Sequence, residues 1–338
     1  MVAAVPMVDV WRGDMVESQH LGHAVICDGT GQIVDAWGDP GLLVYPRSSA
    51  KMIQALPLIE SGAADAAGLT SQQLALSCAS HTGAALHTDA VRAWLDDLGM
   101  GDDDFRCGSH MPFDEDATHE LIRVGTSPCQ VHNNCSGKHA GFLTLARHLG
   151  AGPDYVDLDH PVQLACRAAF EEVTGEDSPG FGIDGCSAPN FATRLQAMAA
   201  AMARFASAKD TDTRGRAMQR LWQAMATHPT HVAGVGQACT DLMRAAKEPL
   251  AIKTGAEGFY VGILPARGLG IALKISDGAT RASESVIAAL LVRLGVLEAA
   301  DPAVQKYLNP PVLNCRQRVT GHTKPNPSFL ETMRSLSP

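Results

Sequence analysis

The sequence predicts an α+β fold, with an antiparallel sheet built from both ends of the chain and flanked by helices. Three observations carry this. Strand-type runs broken by Gly, Pro and Asp turns open the chain, helical periodicity fills its middle, and short strand-type runs return after Pro249. Strict strand–helix alternation is missing, which argues against a doubly wound parallel sheet.

At the N-terminal end, Val8–Trp11 and His23–Ile26 carry strand-type residues, and Asp28-Gly29-Thr30-Gly31 turns the chain into Gln32–Trp37. Tyr45 precedes a proline and is held extended. Ser48–Ser61 reads as a helix with Met52, Ile53, Leu56 and Ile59 on one side, and Pro57 predicts a kink or an early end. Helical patterns follow at Ser71–Cys78, Leu86–Leu98, Asp114–Val124, His139–Leu149 and Val162–Val173. Two runs rich in Ala and Met, Phe191–Phe205 and Arg214–Thr227, come next, and then Val232–Ala246. Leu250–Thr254, Gly258–Leu264 and Leu269–Ser276 read as strands, Arg281–Leu297 as a helix and Asn314–Gly321 as an edge strand. No repeat or linker interrupts the chain, so one domain over 1–323 is expected, with a helical lobe near 150–248 and a flexible tail over 324–338.

With 338 residues, 46% of them hydrophobic, the chain can bury a large core. Its net charge of −9 and the lack of basic stretches interleaved with aromatics exclude a nucleic-acid footprint. Asp9, Arg12, Asp14 and Glu17 break up the start of the chain, so no signal peptide is expected, and no run is long and apolar enough to span a membrane. The nine cysteines are odd in number and scattered, which reads as reduced thiols in a cytoplasmic protein. A small polar or zwitterionic substrate suits this composition better than a polyanion.

The first chemical signal is Arg47-Ser48-Ser49-Ala50-Lys51. Residues three apart on a helix face one another, so Lys51 can reach the Ser48 hydroxyl, and a desolvated lysine can accept a serine proton. Taken alone, the spacing is a weak signal and reads better as an N-cap serine followed by an exposed lysine. Lys253-Thr254-Gly255, far downstream at the end of a predicted strand, adds weight: Ser-x-x-Lys with a distant Lys-Thr-Gly is the pattern of serine β-lactamases and penicillin-binding proteins. The middle Ser-x-Asn element is absent. Ser80, in the polar stretch after Ser71–Cys78, can serve as the second hydroxyl or simply cap that helix.

The second signal is His132-Asn133-Asn134-Cys135-Ser136-Gly137-Lys138-His139, a cluster of functional groups just ahead of an apolar helix. A second polar loop, Gly182 to Asn190, offers Asp184 and Cys186. Cys135 and Cys186 could supply two soft ligands to zinc, with a histidine as a third, but their spacing is that of no zinc finger or ribbon and free thiols in polar loops fit it better.

Tyr45–Lys51, Cys135–Gly141 and Ile183–Cys186 together resemble one family, the Rhizobium-type (class 3, thermolabile, or asparaginase II) L-asparaginases, over nearly the whole chain. The resemblance implies a fold like that of serine β-lactamases and penicillin-binding proteins, a homodimer, and hydrolysis of the side-chain amide of L-asparagine. It implies two Ser–Lys pairs, Ser48 with Lys51 and Ser80 with Lys253, and a zinc ion near the substrate held by Cys135, Lys138 and Cys186. It also places Arg47, His139 and Asp184 in the substrate pocket. Lys274, on the next strand, is the rival to Lys253. The competing functions are a glutaminase, a β-lactam-acylated enzyme, and a non-enzymatic metal or thiol sensor.

Overall fold

The computed structural model describes residues 3–331. Its α-carbon packing divides the chain into two compact units: Met1–Ser49 with Thr193–Ser207 and Asp241–Pro338, and Ala50–Ala192 with Ala208–Thr240.

The first unit is the expected antiparallel sheet, and it draws on both ends of the chain. Its strands run in the order Pro311–Leu313, Val319–Pro325, Val5–Arg12, Met15–Asp28, Leu269–Ile275, Phe259–Leu264 and Ala251–Gly255, with Ile33–Trp37 also pairing to Met15–Asp28. The long strand Met15–Asp28 joins the two ends: its first half pairs with Val5–Arg12 and its second half with Leu269–Ile275. All six residues of Phe259–Leu264 are buried, so both faces of the sheet are covered there.

Helices Leu195–Ser207 and Thr280–Arg293 supply that cover. The first approaches so closely at Gly270 that a Cβ there would run into the backbone of Ala199 and Ala203. Its run of Ala197, Ala199, Ala200, Ala201 and Ala203 permits this approach, because small side chains leave the helix backbone free to sit on the sheet. The strand Val319–Pro325 and helix Pro327–Glu331 take up ground where the sequence suggested a tail, and Phe329 is buried edge-on against Trp37 at 5.3 Å. The remainder of the predicted tail, 332–338, lies outside the described residues.

The second unit is mainly helical, and it begins at Ala50, well ahead of the expected 150–248 lobe. Its centre is helix Ser136–His148, in which every residue from Ser136 to Ala146 is buried. Around it pack Leu56–Glu60, Ala63–Ala66, Ser71–Ser77, Ala85–Asp97 and Pro161–Thr174. The helix predicted over Ser48–Ser61 is broken as Pro57 requires. A 3-10 turn over Arg47–Ala50 leads to Lys51–Gln54, and a new helix, Leu56–Glu60, starts with proline in its first turn. Phe191, read as helical, instead ends a small hairpin of Phe181–Ile183 and Pro189–Phe191, and Cys186 lies in its loop. Among the described residues, no helix is long and apolar enough to cross a membrane.

Candidate active site

Within the sheet unit, Ser48 lies in the 3-10 turn Arg47–Ala50. Arg47 holds φ at 52°, a left-handed conformation that costs a residue with a side chain about 1 kcal/mol or more and is concentrated at functional positions. The turn is tied to the strand that carries Lys-Thr-Gly: Ser49 Oγ donates to the Lys253 carbonyl at 3.1 Å, and Ser49 N–H to the Pro46 carbonyl at 3.1 Å. Gly255 is required by this contact, since a Cβ there would press on Pro46 O and Ser49 Oγ at 2.6 and 2.8 Å. The sequence singled out Lys253-Thr254-Gly255 as a motif, and the structure gives its glycine a steric reason. Lys253 is buried and donates to the Thr254 carbonyl at 2.8 Å. The rival, Lys274, is half-buried and donates to the backbone carbonyls of Glu257 and Ile275 at 2.7 and 2.5 Å.

Within the helical unit, Lys51, Ser80 and Cys135 come together from segments far apart in the chain. Helix Ser71–Ser77 opens with a Thr70–Gln73 capping box and ends at Cys78, so the chain turns through Ala79 and Ser80 as a loop. Ser80 N–H donates to Val232 O at 2.9 Å and His81 N–H to Asn134 O at 3.1 Å, which pins the loop on both sides. The Lys51 ammonium is buried and makes three contacts: with the Ala79 carbonyl, with Ser80 Oγ at 3.0 Å and with Cys135 Sγ at 3.1 Å.

Asn133 shapes the approach to the central helix. Its side chain donates to the Cys107 and Gly108 carbonyls, both at 3.0 Å, and accepts the Cys135 N–H at 2.8 Å. Gly137 fits against the Leu76 carbonyl, which a Cβ would overlap. This places Cys135, Lys138 and His139 inside the unit rather than on its surface. Lys138 Nζ contacts Cys186 Sγ at 3.0 Å. Asp184, in the hairpin loop, is half-exposed and accepts its neighbour Gly185 N–H at 2.9 Å.

The two sulfurs act on one another: Cys186 and burial push the Cys135 thiol up, whereas Cys135, Lys138 and His139 hold Cys186 well below the ordinary thiol range. The Cys135 thiol is directed to Asn134 Oδ1 at 3.3 Å. Burial works against the charge on Lys138, but the Cys186 and Cys135 sulfurs and Asp184 outweigh it and raise its pKa. Burial lowers His139 to about 4, against the pull of Cys186, so its ring is neutral. His81 is neutral for the same reason, and its Nε2 meets Ser136 Oγ at 2.9 Å.

Among the described residues, no three His, Cys, Asp or Glu side chains converge as a metal site. Cys135, Lys138 and Cys186 form a different donor set of two sulfurs and one amine, joined through Cys186. Such a set suits zinc in its softness, provided Lys138 gives up its proton. Sequence reading missed His81, Ser136, Tyr155 and Ser49. All but Tyr155 lay inside or beside segments it had singled out, and nothing in the spacing paired them.

The L-asparaginase II family model matches residues 8–325. Among solved structures, Mglu in its tris and glutamate form is similar with a TM-score of 0.47 at 12% identity, over 83% of this chain and 60% of that one. The chain thus spans about three fifths of Mglu. A β-lactamase from Mycobacterium bovis is similar with a TM-score of 0.44 at 12% identity, over 80% of this chain and 94% of that one. No match is found among curated proteins.

Proposed function

Because the chain belongs to the L-asparaginase II family, and so to the amidohydrolases, we propose that it hydrolyses the side-chain amide of L-asparagine to L-aspartate and ammonia through a serine ester. The observation that carries the reading is the set of contacts around Lys51. The Ala79 carbonyl can only accept, and the Cys135 thiol hydrogen goes to Asn134 Oδ1 at 3.3 Å, so two Lys51 N–H groups are committed to those partners. The third position faces Ser80 Oγ at 3.0 Å. A charged Lys51 donates there, and a neutral one accepts the Ser80 hydroxyl hydrogen. Proton movement at Lys51 is thereby directed along one axis, as a base and relay requires.

In this mechanism Ser48 Oγ attacks the amide carbon as its proton passes to Ser80 Oγ and the Ser80 hydroxyl proton passes to neutral Lys51. The amide oxygen becomes an oxyanion held by backbone N–H groups. Return of the proton, by way of Ser80 and Lys253, to the nitrogen lets the C–N bond break and ammonia leave. Water then adds to the ester, gives a proton to the same lysine, and releases aspartate with Ser48 restored. Arg47 is suited to the substrate α-carboxylate, Asp184 to its α-ammonium and His139 to a polar group of the bound amino acid. A zinc ion held by Cys135, Cys186 and deprotonated Lys138 would supply fixed positive charge beside the substrate.

Quenching the reaction with asparagine and measuring the intact mass tests the ester. An aspartyl adduct that maps to Ser48 is expected. An adduct on Ser80 would reverse the two serine roles, and turnover with no adduct under any quench would contradict covalent catalysis.

A further inference from the structure

We infer that Tyr155 positions His139, fixing its ring as the tautomer with hydrogen on Nε2, so that His139 serves the site as a hydrogen-bond donor. This deepens the reading above and rests on it for the identity of the ligand.

Tyr155 is fully buried, and its backbone carbonyl is held by Gln163 Nε2 at 2.8 Å. Its phenolic oxygen accepts the backbone N–H of Arg106 at 2.8 Å. The one hydroxyl hydrogen is then directed to His139 Nδ1, at 2.9 Å. The His139 ring packs edge-on against both Phe142 and Tyr155, with centroids 5.6 and 5.5 Å away, and those two rings lie 6.1 Å from each other. A ring that accepts the Tyr155 hydroxyl hydrogen at Nδ1 carries its own hydrogen at Nε2.

His139 Nε2 is buried, and no hydrogen bond to it meets ordinary geometry, although the Cys186 sulfur is close enough to act on the ring. Among the described residues, no atom completes a well-formed hydrogen bond to this donor, so an oxygen of a bound ligand can take it. A carboxylate or carboxamide oxygen of a bound amino acid has that chemistry. His139 is therefore assigned to specificity by donation. It is neither the proton acceptor nor, through Nδ1, a metal ligand.

Two measurements test this. The first uses ring 15N shifts of histidine-labelled protein, with the His139 signal identified by its loss in His139→Gln. It needs neither activity nor a Tyr155 variant. A wild-type ring with Nε2–H is expected, and a ring with Nδ1–H overturns the proposal even if the protein is an asparaginase. The second compares Tyr155→Phe in two backgrounds. With His139 present, KM for asparagine is expected to rise about fivefold while kcat changes by less than about twofold. With His139→Gln, whose amide supplies an N–H near the Nε2 position without Tyr155, the added effect is expected to fall below about twofold. Equal effects in both backgrounds would make Tyr155 merely structural and contradict the inference. If the wild type releases no ammonia from asparagine, the proposed function fails, and the 15N shifts alone still decide the tautomer.

Discussion

Lys51 Nζ lies 3.0 Å from Ser80 Oγ, and the same nitrogen touches Cys135 Sγ at 3.1 Å. The lysine that the sequence assigned to Ser48 thus holds the second serine and one of the two cysteines. A single side chain links the hydroxyl chemistry to the thiol pair.

Lys51 is expected to be irreplaceable by another cation. Lys51→Met should lower kcat by about a thousandfold or more, because it removes both proton acceptor and relay. Lys51→Arg should do no better, since a guanidinium does not deprotonate at working pH. Steady-state ammonia release checks both, and an active Lys51→Arg enzyme would mean that Lys51 acts only through its charge.

Two glycines in the motif loops should behave in opposite ways. Gly137→Ala forces a Cβ onto the Leu76 carbonyl and is expected to cost about 2–3 kcal/mol of stability. Gly185 meets no atom within 4 Å and has no left-handed backbone, so Gly185→Ala should stay within about 0.5 kcal/mol of wild type. Urea unfolding of the two variants separates them, and equal stabilities would contradict the close packing of the central helix on Leu76.

The thiol pair should govern metal content. Cys186→Ser removes the sulfur shared by Lys138 and Cys135 and is expected to purify with little zinc, measured by atomic emission. Chelation of the wild type should raise KM more than it lowers kcat, because the metal would orient substrate. Stoichiometric zinc in Cys186→Ser would remove Cys186 from the ligand set.

Glu284 makes the sheet unit lose stability as pH rises toward neutrality. Burial pushes its carboxyl up to about 7 from an ordinary 4.5, with Lys306 pulling the other way. A raised acid pKa means that the folded state binds the proton more tightly. That stability is complete below the unfolded value and is lost as pH rises through about 7. Glu284→Gln should therefore gain up to about 3 kcal/mol over wild type well above neutrality and nothing near the unfolded carboxylate range. Thermal melts across pH check this, and a pH-independent gain would point to packing instead.

The sheet was legible because its strands alternate cleanly or run apolar between Gly and Pro breaks, and the break in the helix predicted over Ser48–Ser61 was legible because Pro57 fits only the first turn of a helix. The hairpin around Cys186 was not legible. Its strands are only Phe181–Ile183 and Pro189–Phe191, too short for a period to emerge, and the Ala- and Met-rich run that follows made Phe191 look helical. In the site, residues carried by local motifs could be named in advance, among them Ser48, Lys51, Cys135 and Cys186. Their contacts could not. Lys51 and Cys135 are 84 residues apart, and Tyr155 is an unremarked tyrosine between turns, known to matter only once its hydroxyl is seen on His139.

The most direct test is ammonia release from L-asparagine by wild type, Ser48→Ala and Ser80→Ala, each with its zinc content measured. Full activity in the wild type, none above background in Ser48→Ala and a strong but incomplete loss in Ser80→Ala are expected if Ser48 is the nucleophile and Ser80 the relay. Undiminished ammonia release by Ser48→Ala would contradict the account.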